Sequence, residues 1–156
     1  MRVKKKEIHD KDSIKDILNS CQVGRLATVG KDGYPVIKPV NYVYFREHIY
    51  FHSAKEGEKI DDILRDGRVC FEVDIPLRYV RGDANPCSAS YRYRSVIARG
   101  KARIVEDPDE ILESLSALME KYQPEGGYGG FLPEKLALTA VIRIDLHDIA
   151  GKEDVR

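Results

Sequence analysis

The chain has 156 residues, the size of one ordinary domain. Its 26 lysines and arginines balance 26 aspartates and glutamates, which argues against a large nonspecific surface for nucleic acid. No apolar run approaches the roughly 20 residues of a membrane span, and three cysteines without zinc or disulfide spacing favour a reducing cytoplasm.

The first third of the chain predicts a short tail, a helix and three strands. Residues 1–12 indicate a basic N-terminal tail, and the next segment has apolar side chains at helical spacing. Asp32-Gly33 then separates two β-rich runs, a pattern typical of a hairpin. A third run, IYFHS, follows the long run VIKPVNYVYF after three residues. Strands joined this closely must be antiparallel neighbours.

The stretch FHSAKEGEK, residues 51–59, predicts a corner where a strand gives way to a helix. The first turn of a helix has free N–H groups and a partial positive charge, which attract anions. Gly57 would let a ligand approach the backbone, Lys59 adds a full positive charge and Ser53 a hydroxyl. These groups suit a phosphate monoester, although spacing alone also allows an ordinary helix start with an exposed lysine.

The second half of the chain predicts three more strands and a well-marked helix. RVCFEVDI alternates as a half-buried strand does, and residues 76–88 indicate an irregular loop. The next strand is long, with Gly100 in its middle indicating a bend or a close approach of backbone. Asp107 and Glu110 match a capping box at the start of the helix that follows.

A loop over residues 124–132 and a final strand, TAVIRIDLH, complete the chain. The total is about six strands and three helices, and the short links favour an antiparallel sheet. Closing that sheet into a small barrel would remove its exposed edges. We therefore expect one mainly β domain over residues 1–156, with accessory helices.

Other chemistries have little support in the sequence. His48 and His52 would lie about 13 Å apart along a strand, too far for one metal ion. No serine has the glycine pattern of a nucleophile elbow, and no glycine-rich turn marks a dinucleotide fold.

The order of these elements, with the blocks FHSAKEGEK and YRSVIARGKA, resembles the FMN-binding split-barrel proteins. The similarity extends from about residue 14 to 152 and is greatest to the pyridoxamine 5'-phosphate-oxidase-like branch that includes nitroimidazole-resistance proteins. It implies a six-stranded antiparallel split β-barrel with FMN as cofactor. The residues that the resemblance assigns to FMN are Pro39, Val40, Asn41, His52, Ser53, Lys59 and Ser95.

Within that set the resemblance gives each group a role. His52, Ser53 and Lys59 would hold the phosphate or ribityl end, and the strand KPVNY would lie along the flavin ring. Ser95 would reach the phosphate side. Members of that family are typically homodimers with two flavins at the interface, so the segment DIAGK is a candidate contribution to the site of the second chain.

The implied activity is an oxidoreductase that reduces a small organic acceptor, such as a nitroaromatic. A flavin-binding or flavin-sensing protein without turnover, a haem-binding relative with His52 or another histidine as ligand, and a deazaflavin-binding relative remain alternatives. Glu58 stands where the vitamin-making oxidase has arginine. This departure argues against pyridoxamine phosphate as the substrate.

Overall fold

The computed structural model of the chain describes residues 6–155, which form eight strands and four α-helices. The strands are β1 (Glu7–Ile8), β2 (Gly24–Val29), β3 (Pro35–Val40), β4 (Val43–Phe45), β5 (His48–Ala54), β6 (Arg68–Val80), β7 (Ser90–Ile104) and β8 (Thr139–Asp154). The helices are α1 (Lys11–Ser20), α2 (Glu58–Arg65), α3 (Pro108–Tyr122) and α4 (Pro133–Leu136). No helix within residues 6–155 has the length and apolar character that a membrane crossing needs.

All strands join one antiparallel sheet in the order β3-β2-β6-β7-β8-β5-β4, with β1 paired to β8. The predicted mainly β, antiparallel architecture is therefore confirmed. Strands β3 and β4 stand at opposite ends of this order, yet only Asn41 and Tyr42 connect them. The sheet must therefore curl round until its two end strands lie near each other, as in a barrel that is open at one seam.

The prediction of six strands was too low, for two reasons. The run VIKPVNYVYF is not one strand, because Tyr42 turns into the core, where it is fully buried and its hydroxyl donates to the Leu18 carbonyl. In addition, Glu7 and Ile8 pair with Lys152 and Gly151, so part of the predicted tail 1–12 belongs to the sheet. Residues 1–5 of that tail lie outside the described residues.

The predicted loop over 76–88 is shorter than expected. Strand β6 continues to Val80 and stays paired with β7 as far as Ser90. Proline lacks the N–H that a ladder needs, and the register shifts between Pro76 and Arg78, which lets the pairing continue past it. The irregular connection is therefore limited to residues 81–89, which include a short 3₁₀ turn.

Gly100 is a point of close backbone approach, as its position in the long strand predicted. The register of β7 against β8 shifts between Arg99 and Gly100. A Cβ atom on Gly100 would lie 2.3 Å from the Asp145 carbonyl oxygen, a distance that no side chain tolerates.

Two apolar cores lie on opposite faces of β5. Ile49 and Phe51 face the barrel interior, whereas Tyr50 packs with Leu115 and Leu118 under α3. The alternation of a strand produces this division. Packing on both faces thus fixes β5, and the end of this strand leads into the predicted phosphate corner.

At the start of helix α3 the predicted cap is confirmed, but the predicted capping box is wrong. The Asp107 side chain accepts the N–H of Asp109, which confirms it as the cap. Glu110 does not complete a capping box. Its carboxylate instead accepts the Tyr50 hydroxyl at 2.8 Å and an Arg143 N–H at 2.9 Å, because the helix packs against β5 and β8 at this point.

Candidate functional site

The corner between β5 and α2 has an open helix start. Gly57 is the N-cap residue, with a φ of 118° that side chains rarely adopt, and no side chain caps the helix within the described chain. The N–H groups of Ile60 and Asp61 both bond to the Gly57 carbonyl. The first N–H groups of α2 are therefore left for solvent or a ligand.

Lys59 and His52 meet at this corner, as the sequence predicted, and both are partly desolvated. The Lys59 ammonium lies 5.5 Å from the centre of the Phe51 ring. Burial lowers the pKa of Lys59, and the positive charge of Lys38 lowers it further. Burial also lowers the pKa of His52, with a second contribution from Lys59. Lys59 therefore lies close to a second ammonium, and His52 lies close to the charge of Lys59.

Lys38 is a member of this site that the sequence reasoning missed. It belongs to β3, yet its ammonium lies 3.1 Å from a Glu58 carboxylate oxygen and 3.8 Å from Asp62 on α2. This contact joins the end strand of the sheet to the helix of the corner. The sequence signal was weak, because Lys38 and Lys59 become neighbours only when the barrel curls.

Asp62 anchors α2 below the corner. It is nearly inaccessible, and its carboxylate accepts the Thr28 hydroxyl at 2.8 Å and an Arg65 N–H at 2.8 Å. The hydrogen bond from Arg65 is the main reason why the pKa of Asp62 is lowered. Because the Asp62 carboxylate is already paired with Arg65, it neutralises the charge of Lys38 only in part.

Lys59 is the cation best placed to meet an anion. Within residues 6–155 it has no carboxylate within 4 Å, whereas Lys38 is shared with Glu58 and Asp62. An ammonium that is half removed from water and close to a second ammonium gains from a bound anion. The Lys59 ammonium and the first N–H groups of α2 are therefore the groups at this corner with capacity for an anion.

Ser53 also lies at the corner but has a different partner at present. It is half-buried, and its hydroxyl donates to the Ala54 carbonyl at 2.7 Å. The oxygen can still accept a bond, but donation to a phosphate would need a new rotamer.

The predicted ring strand lies at the open seam of the barrel. Strand β3 pairs with β2 on one side and with no described strand on the other. Val40 is buried, while Pro39 and Asn41 are exposed. Since proline has no N–H, the groups here that could bond to a ring edge are carbonyls, the Asn41 side chain and the remaining backbone N–H groups.

Tyr42 holds the end of this strand in place. The backbone N–H of Tyr42 donates to the Tyr122 hydroxyl at 2.9 Å, and that hydroxyl in turn donates to the Gln22 carbonyl at 2.7 Å. The Lys121 ammonium lies 3.7 Å from the centre of the Tyr42 ring, and burial lowers the pKa of Lys121 to about 8. The segment next to Tyr42 is therefore fixed by contacts from α3.

Ser95 is not brought to the corner of its own chain. On β8, Ser53 pairs with Ala140 whereas Ser95 pairs with Lys152, twelve residues further along. This separation is about 40 Å along the strand. Ser95 does lie beside the segment DIAGK, which was also predicted to contribute to the site. The two predicted contributions thus share one surface, remote from the corner.

Two cavities flank the corner. One of about 200 Å³ has His52 at its edge and apolar side chains of α3 and α4, including Leu115 and Leu136, as its walls. The other, of about 440 Å³, lies beside Lys55 and is lined by Ile60 and Leu64 of α2. A small apolar molecule could therefore lie within reach of the His52 imidazole.

Comparison with known proteins identifies the family and the fold. A family model described as pyridoxamine 5'-phosphate oxidase matches residues 10–153 of the chain. A search of curated proteins finds no match.

Several solved structures share the fold. A candidate 5-nitroimidazole antibiotic resistance protein from Bacteroides thetaiotaomicron is 26% identical, with a TM-score of 0.83 over 94% of this chain and 86% of its own. A candidate pyridoxamine 5'-phosphate oxidase from Listeria innocua is 25% identical, with a TM-score of 0.59 over 88% and 94% of the two chains. An FAD and haem binding protein from Mycobacterium smegmatis has a TM-score of 0.84 at 18% identity, covering 97% and 74%, which shows the fold alone.

Proposed function

Since the chain belongs to the pyridoxamine 5'-phosphate oxidase family and has its split-barrel fold, we propose that it binds FMN with the phosphate at the β5–α2 corner. The observation that supports this proposal is the cluster of Lys38, Lys59 and His52 beside an uncapped helix start. A phosphate monoester carries close to two negative charges near neutral pH. The phosphate would relieve the repulsion between the positive charges of the cluster and accept hydrogen bonds from the free N–H groups of α2.

The flavin ring would lie along the open edge of β3. Asn41 and the free backbone groups of this strand would bond to the ring edge, and Lys38 would hold the strand next to the phosphate. Flavins supply hydride and electron transfer, and the protein's part is to bind and orient the ring. Glu58 would remain near the phosphate, where its ion pair with Lys38 limits the repulsion between the two negative groups.

We propose that the functional unit is a homodimer with FMN at the subunit interface. The support is the separation of Ser95 and Lys152 from the corner of their own chain. Both residues could take part in a flavin site only if a second copy brings them to the corner. Each site would then combine the β5–α2 corner of one chain with the Ser95 surface of the other.

The proposed activity is the reduction of a small organic acceptor, such as a nitroaromatic. The support is a relative at 26% identity that is described as a 5-nitroimidazole antibiotic resistance protein.

The experiment that tests flavin binding is the absorbance spectrum of the protein as purified, with mass identification of any released pigment. We expect flavin bands and FMN, and apo-protein should take up FMN one per chain. Release of haem or of a deazaflavin, or no FMN uptake on titration, would contradict the proposal.

The activity needs a separate test. Reduced FMN-loaded protein is mixed with a panel of nitroimidazoles, nitrobenzenes and quinones, and reoxidation of the flavin is followed by absorbance. Reoxidation that is faster than with free reduced FMN would support turnover. Tight FMN binding without such reoxidation would favour a flavin-binding or sensing role.

A further inference from the structure

A cavity of about 550 Å³ lies away from the corner, between α1, the turn that joins β4 to β5, and β8. His48 lines it at the start of β5, about 13 Å along the strand from His52. Its apolar walls are formed by Ile8, Ile14, Tyr44, Leu146 and Ile149. The volume is in the range of cavities that hold small organic ligands.

The α1 side of the cavity is basic. Lys11 and Lys15 both line it and lie one helical turn apart. Within residues 6–155, neither lysine has a carboxylate within 4 Å, whereas Arg46, across the cavity, is bonded to Glu113. The two lysines are therefore the cations of this cavity with capacity for a ligand.

The opposite side of the cavity is the two-residue turn that joins β4 to β5. Arg46 and Glu47 have φ values of 49° and 65°, the positive values that a tight hairpin turn of this length requires. The turn places both side chains at the cavity.

The cavity also contains a polar group without a hydrogen bond. The Nδ1 atom of His48 is buried, 3.3 Å from a carboxylate oxygen of Asp145, and neither atom forms a hydrogen bond within the described chain. Arg103 and Arg143 already surround Asp145. The Nδ1 atom of His48 thus faces Asp145, and the ring forms part of the cavity wall.

We propose that this cavity binds a small aromatic monocarboxylate. The flat apolar body would pack against Tyr44 and the aliphatic walls, and the carboxylate would lie between Lys11 and Lys15. Glu7 and Glu47 also line the cavity and disfavour a second negative charge on the ligand, so a monoanion fits better than a dianion. The site is separate from the β5–α2 corner and does not require flavin.

The experiment is a titration of the full chain with 2-naphthoate, followed by amide chemical shifts and calorimetry. We expect one site per chain, shifts at Ile14, Tyr44 and Leu146, and equal affinity with and without saturating FMN. The neutral analogue 2-naphthalenemethanol should bind at least fivefold more weakly. Absence of binding, or loss of the 2-naphthoate site when FMN is added, would overturn the proposal.

Two variants localise the site. The double change Lys11→Gln with Lys15→Gln should weaken 2-naphthoate at least fivefold, and Ile149→Trp should fill the cavity and abolish binding. Lys31→Gln, in the exposed β2–β3 turn, is the matched control and should have no effect. Unchanged affinity in the double variant would contradict the assignment, even if Ile149→Trp disturbs folding.

Discussion

The change Lys59→Ala tests whether the β5–α2 corner binds the phosphate of FMN, because Lys59 is the group there with the clearest role. Lys59 is half-buried above the Phe51 ring and has no carboxylate partner among the described residues, so its charge is available to a phosphate. A hydrogen bond to a charged group contributes about 1.5–3 kcal/mol. Removing Lys59 also relieves His52 of a neighbouring charge, which offsets part of the loss. We therefore expect FMN to bind about 1–3 kcal/mol more weakly, or roughly 5- to 150-fold.

The assay is titration of apo-protein with FMN and, in parallel, with riboflavin, which lacks the phosphate. The variant should lose affinity for FMN and keep its affinity for riboflavin. Lys55→Ala is the matched control, because Lys55 is exposed in the same connection and belongs to no ion pair in the described chain. Equal losses for FMN and riboflavin, or none for FMN, would refute phosphate binding at this position.

Four further outcomes follow from the structure. Burial and the charge of Lys59 lower the pKa of His52, so a bound phosphate should raise that pKa. FMN should therefore bind more tightly at pH 6.5 than at pH 8 in a fluorescence titration. In the variant His52→Gln this dependence on pH should be weaker. The same lowered pKa means that apo-protein loses stability as the pH falls below about 6.5, since the unfolded chain then binds the extra proton. Gly100→Ala should lower the free energy of unfolding in urea by about 1–3 kcal/mol because of the contact with Asp145, and a neutral effect would contradict that geometry. Glu47→Gly should raise the free energy of unfolding by about 1 kcal/mol, because glycine adopts the positive φ at this position without strain. A lower free energy of unfolding would show that the contacts of the Glu47 side chain stabilise the fold by more than the strain in its backbone costs.

Local signals were sufficient to predict most of the elements. The Asp32-Gly33 turn, the corner at Gly57, the cap Asp107 and the close approach at Gly100 each depend on the conformation of one or two residues. Such features can be read from a short window of sequence.

Features set by distant contacts were not predictable in this way. The break at Tyr42 exists because its side chain enters the core and bonds to Leu18. Glu110 matches a capping box locally, but Tyr50 and Arg143 offer a stronger set of partners from other strands. In both cases tertiary contacts outweigh the local preference.

The candidate site shows the same limit. His52, Ser53 and Lys59 follow one another in the chain, so a single motif indicated all three. Lys38 joins them only through the curl of the sheet. Ser95 was predicted on resemblance, and the register of β8 places it far from the corner, which the motif alone could not reveal.

The most direct test of the phosphate corner is a crystal structure of the protein with FMN. We expect phosphate oxygens about 3 Å from the Lys59 ammonium and from the first N–H groups of α2. A fully occupied FMN whose phosphate lies elsewhere, with Lys59 in contact only with solvent, would contradict it.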